Sequence, residues 1–246
     1  MRRALAFTLL CLPFAAYADC AQQFSAWARQ LQPQLKLADQ YSVCKPSPSD
    51  PSRTLAALLF VEKEDDDGAQ YGLAVLSAKG ATVERQLYEP AAITTDAITL
   101  EEVTLDTARY NLAPSLRAFG VRARYSGPSR VNQYSSTQMN LYLDQGGQLR
   151  KVLDGFEVEK FGGEWDGNCA GEFSETHSSL AVGKATSHGL ADLEVTEKTV
   201  DTVAVAKGDD CNDTKSAPKV KKYSLSYDGQ RYQMPSIQTA EKTSSR

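Results

Sequence analysis

The chain has 246 residues, enough for one sizeable core or two closely packed halves, and its 31 acidic residues outnumber 27 basic ones for a formal charge of −4. Such a balance argues against nucleic acid as a partner, because proteins that neutralise phosphates carry basic patches. Only two histidines are present, His177 and His188, so catalytic schemes that depend on histidine have few ways to be assembled.

The chain opens Met1-Arg2-Arg3, continues with an apolar run over residues 4–16, and reaches Ala16-Tyr17-Ala18 before Asp19. A positive start, a short apolar core and small residues at the first and third places before a cut predict a secretory signal peptide over 1–18, cleaved after Ala18. Loss of Arg2 and Arg3 takes the formal charge from −4 to −6. The apolar run is shorter than the roughly 20 residues a spanning helix takes, so no transmembrane segment is expected and the mature chain is read as soluble. A lipid anchor on Cys20 is disfavoured, because Tyr17 and Asp19 interrupt the small residues such processing needs.

Cleavage leaves Cys20, Cys44, Cys169 and Cys211. An even set in an oxidising compartment reads as disulfides, and four cysteines allow three connectivities. Cys20 with Cys44 and Cys169 with Cys211 is the favoured pairing, each pair being near in sequence. No C-x-x-C spacing supports a metal site.

Phe24, Trp27, Ala28 and Leu31 fall on one helical face, with Asp19 as a cap and Pro33 as a stop, so residues 19–44 are read as an N-terminal helical segment. Trp27 is expected to anchor the core. The three prolines of Lys45-Pro46-Ser47-Pro48-Ser49-Asp50-Pro51 predict a surface loop without helix or strand. From Thr54 the period becomes two. Residues 54–61 and 71–76 are apolar strands, joined by an acidic turn ending in Asp67-Gly68. Phe119, Val121, Ala123 and Tyr125 form a half-buried strand. Met139, Leu141 and Leu143 form the next and end at Gly146-Gly147. Phe156 with Val158, then Leu193 with Val195, repeat the alternation. Tyr223, Leu225 and Tyr227, the Asp228-Gly229 pair, and Tyr232 with Met234 predict a closing hairpin.

Short strands with frequent turn signals predict a mainly β fold, an antiparallel sandwich, barrel or meander carrying one N-terminal helix. The β-rich domain is placed at 45–237, with a soft boundary between two packed halves near Pro114 and a polar tail over 238–246.

Catalytic and cofactor motifs are missing. Ser129 in Gly127-Pro128-Ser129-Arg130-Val131 lacks the second glycine of a nucleophile elbow, and H-E-x-x-H does not occur. His177 is read as an exposed strand or turn residue. Asp65-Asp66-Asp67-Gly68 invites calcium, but alignment to the binding loop puts Lys63 and Ala74 at the first and twelfth ligand places, so a solvated turn is favoured. Lys215, Lys219, Lys221 and Lys222 are read as a solvated face. No cofactor or metal is expected.

The most unusual stretch is Phe161-Gly162-Gly163-Glu164-Trp165-Asp166-Gly167-Asn168-Cys169-Ala170-Gly171-Glu172. Its four glycines beside Glu164, Trp165, Asp166, Asn168 and Glu172 make a loop where backbone, an aromatic ring and carboxylates can meet a ligand or partner. The competing structural reading is that Trp165 caps the core and the glycines serve turns around a disulfide.

Ala118-Phe119-Gly120-Val121, Leu153-Asp154-Gly155 and Cys169-Ala170-Gly171-Glu172 resemble segments of exported β-rich proteins of Gram-negative bacteria whose activity is uncharacterised. The resemblance covers about a quarter of the chain, residues 117–183, and implies compartment and strand content only. The functional expectation is a periplasmic or secreted protein that binds a partner in the cell envelope without catalysis, as an inhibitor, immunity or accessory factor. Its tyrosine content suits contact surfaces. The alternatives are a glycan hydrolase using paired carboxylates, with the Glu164–Glu172 loop supplying one, and a small-molecule or lipid carrier if the sheet encloses a cavity.

Overall fold

The computed structural model describes residues 20–208 and 210–235. The proposed leader, Cys11, Asp19 and the polar tail lie outside the described residues. A 3-10 turn, Ala21–Gln23, leads into α1 (Phe24–Leu31), whose capping position is Gln23 and which stops two residues before Pro33. Phe24, Trp27 and Ala28 are the buried face, as their spacing requires.

The first sheet contains β1 (Lys36–Leu37), β2 (Val43–Pro46), β3 (Thr54–Asp65), β4 (Gly68–Lys79) and β5 (Thr82–Thr95). Its order is β1-β3-β4-β5, with β2 also on β3, and all pairs are antiparallel. Lys45 and Pro46 therefore sit in a strand opposite Leu55 and Thr54, not in a loop as expected. β2 is short and at a sheet margin, where a residue without an N–H is tolerated. The acidic turn ends at Asp67-Gly68 as expected, and the strands run into it, with Asp65 opposite Gly68 and only Asp66 and Asp67 between them.

The second sheet runs through β6 (Thr99–Ala113), β7 (Leu116–Ser126), β8 (Asn132–Gln145), β9 (Gln148–Trp165), β10 (Gly171–Ser187) and β11 (Leu190–Lys207) as a meander. β12 (Asp210–Lys215) and β13 (Lys219–Leu225) both pair with the free side of β11, at 202–207 and 193–199. The sheet curls into a half-barrel, and β10 and β11 return to touch β6. Pro114 lies in the β6–β7 turn within this sheet, and the chain crosses between sheets after Thr95.

Three apolar cores follow from this layering. α1 packs Phe24 and Trp27 on Leu58, Phe60, Ala74 and Leu76 of the first sheet. The opposite face of that sheet, with Leu55, Leu59, Leu73 and Val75, packs on Leu105, Phe119, Val121 and Tyr142 of the second. β3 and β4 are thus buried on both faces, which is why they read as unbroken apolar runs. The third core, inside the curl, is filled by Met139, Leu141, Leu153, Phe156, Leu193, Leu225 and Tyr232.

The disulfides are Cys20–Cys44 and Cys169–Cys211, the pairing expected. The first fastens the start of α1 to β2. The predicted C-terminal hairpin forms only at its tip: Tyr227 pairs antiparallel with Tyr232 around a turn at 228–231, closed by the Asp228 N–H to the Arg231 carbonyl and the Gln233 N–H to the Ser226 carbonyl, while β13 before it pairs with β11. Tyr232 also donates its hydroxyl to the Ala191 carbonyl and its N–H to that of Val152, which turns the segment back onto the curl.

Candidate functional site

All five residues proposed from the glycine-rich stretch lie at or beside one hairpin tip, where β9 ends at Trp165 and β10 begins at Gly171. The Asp166 carboxylate accepts the N–H groups of Asn168 and Ala170 at 2.8 and 3.0 Å, which closes the turn. Cys169 then ties this tip to Cys211 on β12. The strand ends here extend past the cores: β10 has no fully buried residue, and every residue of β12 is exposed.

Register sorts the side chains onto two faces, because direct partners share a face and neighbours along a strand alternate. Asn132, Glu164, Glu172 and Val203 are successive partners on β8 to β11 and form one row. Trp165, Gly171 and Ala204 form the adjacent row on the opposite face, and Trp165 donates its backbone N–H to the Val131 carbonyl at 2.8 Å. Glu164 and Glu172 stand directly opposite each other, and among the described residues neither has an ion-pair partner. Like charges in that relation destabilise a sheet.

A shallow concavity of about 710 Å³ spans this end and is bordered by Val131, Glu164, Trp165, Asp166, Glu172, Val203 and Val205. It brings together four of the five proposed residues; Asn168 stays in the turn, with its carbonyl 3.9 Å from Cys211 Sγ. Val131, Val203 and Val205 are 49, 44 and 45% exposed. Only four large hydrophobic residues are exposed to that degree among the described residues, and three of them share one feature. The sequence did not single these valines out, since nothing in an alternating strand says which end outruns its core.

The glycines are explained on the opposite face. A side-chain carbon at Gly163 or Gly171 would lie 2.4 or 2.8 Å from the ring of Phe173 and 2.6 or 2.8 Å from the Glu172 or Glu164 carbonyl oxygen. The Phe173 ring therefore rests on two bare stretches of backbone, and Phe161 stacks beside it with centroids 6.0 Å apart and planes 11° apart. Gly167 serves the turn, with φ +84°. Trp165 is half-buried at this margin and not in any of the three cores.

His177 is exposed on β10, its Nε2 3.0 Å from Glu175 and its Nδ1 3.7 Å from Glu159. His188, in the β10–β11 turn, places Nδ1 2.8 Å from the Tyr227 carbonyl. Asp65 is occupied by Lys63 at 2.6 Å and by the Asp67 N–H. In the lysine cluster, Lys219 pairs with Asp201 at 2.7 Å and Lys221 lies over the Tyr223 ring.

Comparison with protein families, curated proteins and solved structures finds no match, so the functional reading rests on the geometry of this chain.

Proposed function

We propose that the chain is a non-catalytic binding protein of the cell envelope, periplasmic or secreted, that docks a protein partner on the strand end bordered by Val131, Glu164, Glu172, Val203 and Val205. The observation that carries this is the gathering of three exposed valines around an unpaired pair of carboxylates, at an end of the sheet that no core requires. Apolar residues held in water next to unneutralised charge are costly to a monomer and useful to an interface. Two disulfides fit an exported protein, and among the described residues no helix is long and apolar enough to cross a membrane.

The other readings draw less support. The space inside the curl is occupied by core side chains, which weighs against a lipid carrier. Glu164 and Glu172 are adjacent, as a retaining glycosidase needs, yet both are exposed. A carboxyl acting as general acid is held in an apolar pocket, which an open strand end does not provide.

Crosslinking of the tagged chain in its native envelope, followed by capture, tests the proposal. Wild type and Val220→Asp, altered at an exposed valine elsewhere, are expected to retain one dominant partner, and Val203→Asp to lose it. Retention by Val203→Asp, or equal loss from Val220→Asp, would overturn the placement.

A further inference from the structure

We infer that the opposite face of the same strand end is a saccharide platform, with linear glycans of neutral pyranose rings as its ligand class. The inference does not rest on the protein-docking surface: Glu164, Glu172 and Val203 stand on the opposite face of the sheet, and the two surfaces meet only at the strand-end margin beside Trp165.

Sheet register places Phe161, Gly163 and Trp165 of β9 on one face with Glu175, Phe173 and Gly171 of β10. The Phe173 ring lies against the backbone at Gly163 and Gly171, where any side chain would displace it, and it stays half-buried at the surface. Phe161 is nearly parallel to it. The two rings keep almost one orientation on an open sheet and are both only half-buried, which leaves aromatic surface in contact with solvent.

Polar groups adjoin the rings. Continuing along the same face, Glu159 and His177 are direct partners, and Thr137 donates its hydroxyl to Glu159 at 3.2 Å. Together with Arg124, these residues border a cleft of about 210 Å³ that also reaches Phe161 and Glu175. A pyranose ring matches such a surface: its axial C–H groups lie on an aromatic face, while its hydroxyls donate to carboxylates and accept from guanidinium or imidazole N–H groups. Parallel rings 6.0 Å apart suit neighbouring sugars of a linear chain. Acidic and basic groups are both present, which favours a polyol over a ligand of one charge.

The test is calorimetric titration of the full chain with cellohexaose and with chitohexaose. At least one is expected to bind. Phe161→Ala, Glu175→Ala and His177→Ala are each expected to weaken it about tenfold while the thermal transition of the last two stays in place. Val203→Asp, on the other face, is expected to bind the sugar as wild type does. Absence of heat from both sugars, wild-type affinity in the three variants, or loss of binding in Val203→Asp would each overturn the inference. The partner capture described above does not depend on any of these outcomes.

Discussion

The hydroxyl of Tyr142 on β8 donates to Glu89 of β5 at 2.6 Å, a polar contact across the apolar interface between the two sheets. The other Glu89 oxygen pairs with Lys151 at 2.5 Å, and Lys151 also holds Asp154 at 2.9 Å. Tyr142 is fully buried, and burial followed by the Glu89 charge holds its phenol well above the ordinary range. Removing Glu89 leaves the buried Tyr142 hydroxyl without its acceptor and the half-buried Lys151 ammonium with Asp154 alone. Glu89→Ala is expected to cost about 3 kcal/mol, and Tyr142→Phe about 1–2 kcal/mol, read from urea unfolding. Equal, near-zero costs would mean the network does not hold the sheets together.

Asp106 gives stability a pH dependence. Burial alone would raise its pKa, but the Ala108 amide, the Arg122 guanidinium and the Tyr110 hydroxyl outweigh that and hold it below the ordinary carboxylate value. A depressed carboxylate contributes stability above its unfolded pKa of about 3.9 and loses it as pH falls through the folded value. The partner group acts at the other limit. Tyr110 is pushed up to about 12 by burial and by Asp106, so its contribution is complete below about pH 10 and is lost as pH rises towards 12. Urea midpoints across pH are expected to be flat at neutrality and to fall at both ends. Asp106→Asn should lower the plateau and flatten the acid limb; an unchanged acid limb would assign it to other carboxylates.

At the hairpin tip, Gly171→Ala sets a new carbon against both the Phe173 ring and the Glu164 carbonyl, and Gly163→Ala meets the same ring and Glu172. Each is expected to cost about 1–3 kcal/mol through overpacking, with amide exchange accelerating first on the tip. Gly167→Ala, with open space around its Cβ but φ +84°, should cost less than either. Wild-type exchange in Gly171→Ala would show that Phe173 is free to move off the backbone.

The two disulfides separate in function although they are similar in strength. They span 24 and 42 residues, and loop entropy assigns about 3–4 kcal/mol to each. Cys20→Ser with Cys44→Ser removes the tie between α1 and β2 and is expected to lower stability with the far strand end unaffected. Cys169→Ser with Cys211→Ser unties the two tips that border the concavity, so partner capture should weaken as well. Undiminished capture would show that the tips are ordered without the bond.

Strand content and the N-terminal helix were legible because they depend on local periodicity, whereas cysteine spacing only favoured the disulfide pairing among three that the sequence allows. β3 and β4 were clear because each is buried on both faces. The closing hairpin is shorter than its sequence suggests: Asp228-Gly229 does turn the chain and Tyr227 meets Tyr232, but β13 finds a longer partner in β11. Tertiary pairing overrode a favourable local signal. The glycine-rich stretch was correctly marked as unusual, yet its cause was not visible: Gly163 and Gly171 make room for Phe173, a partner fixed by register rather than sequence neighbourhood. Val203 and Val205 were hidden for the related reason that exposure depends on where the cores stop.

A photo-crosslinking amino acid placed at Val203 in cells, beside a control at Val220, addresses the binding role most directly. A discrete adduct with one envelope protein is expected from position 203, absent at 220 and lost when Glu164 and Glu172 are both changed to Lys. No adduct at 203, or the same adduct at both positions, would contradict a binding role for this end of the sheet.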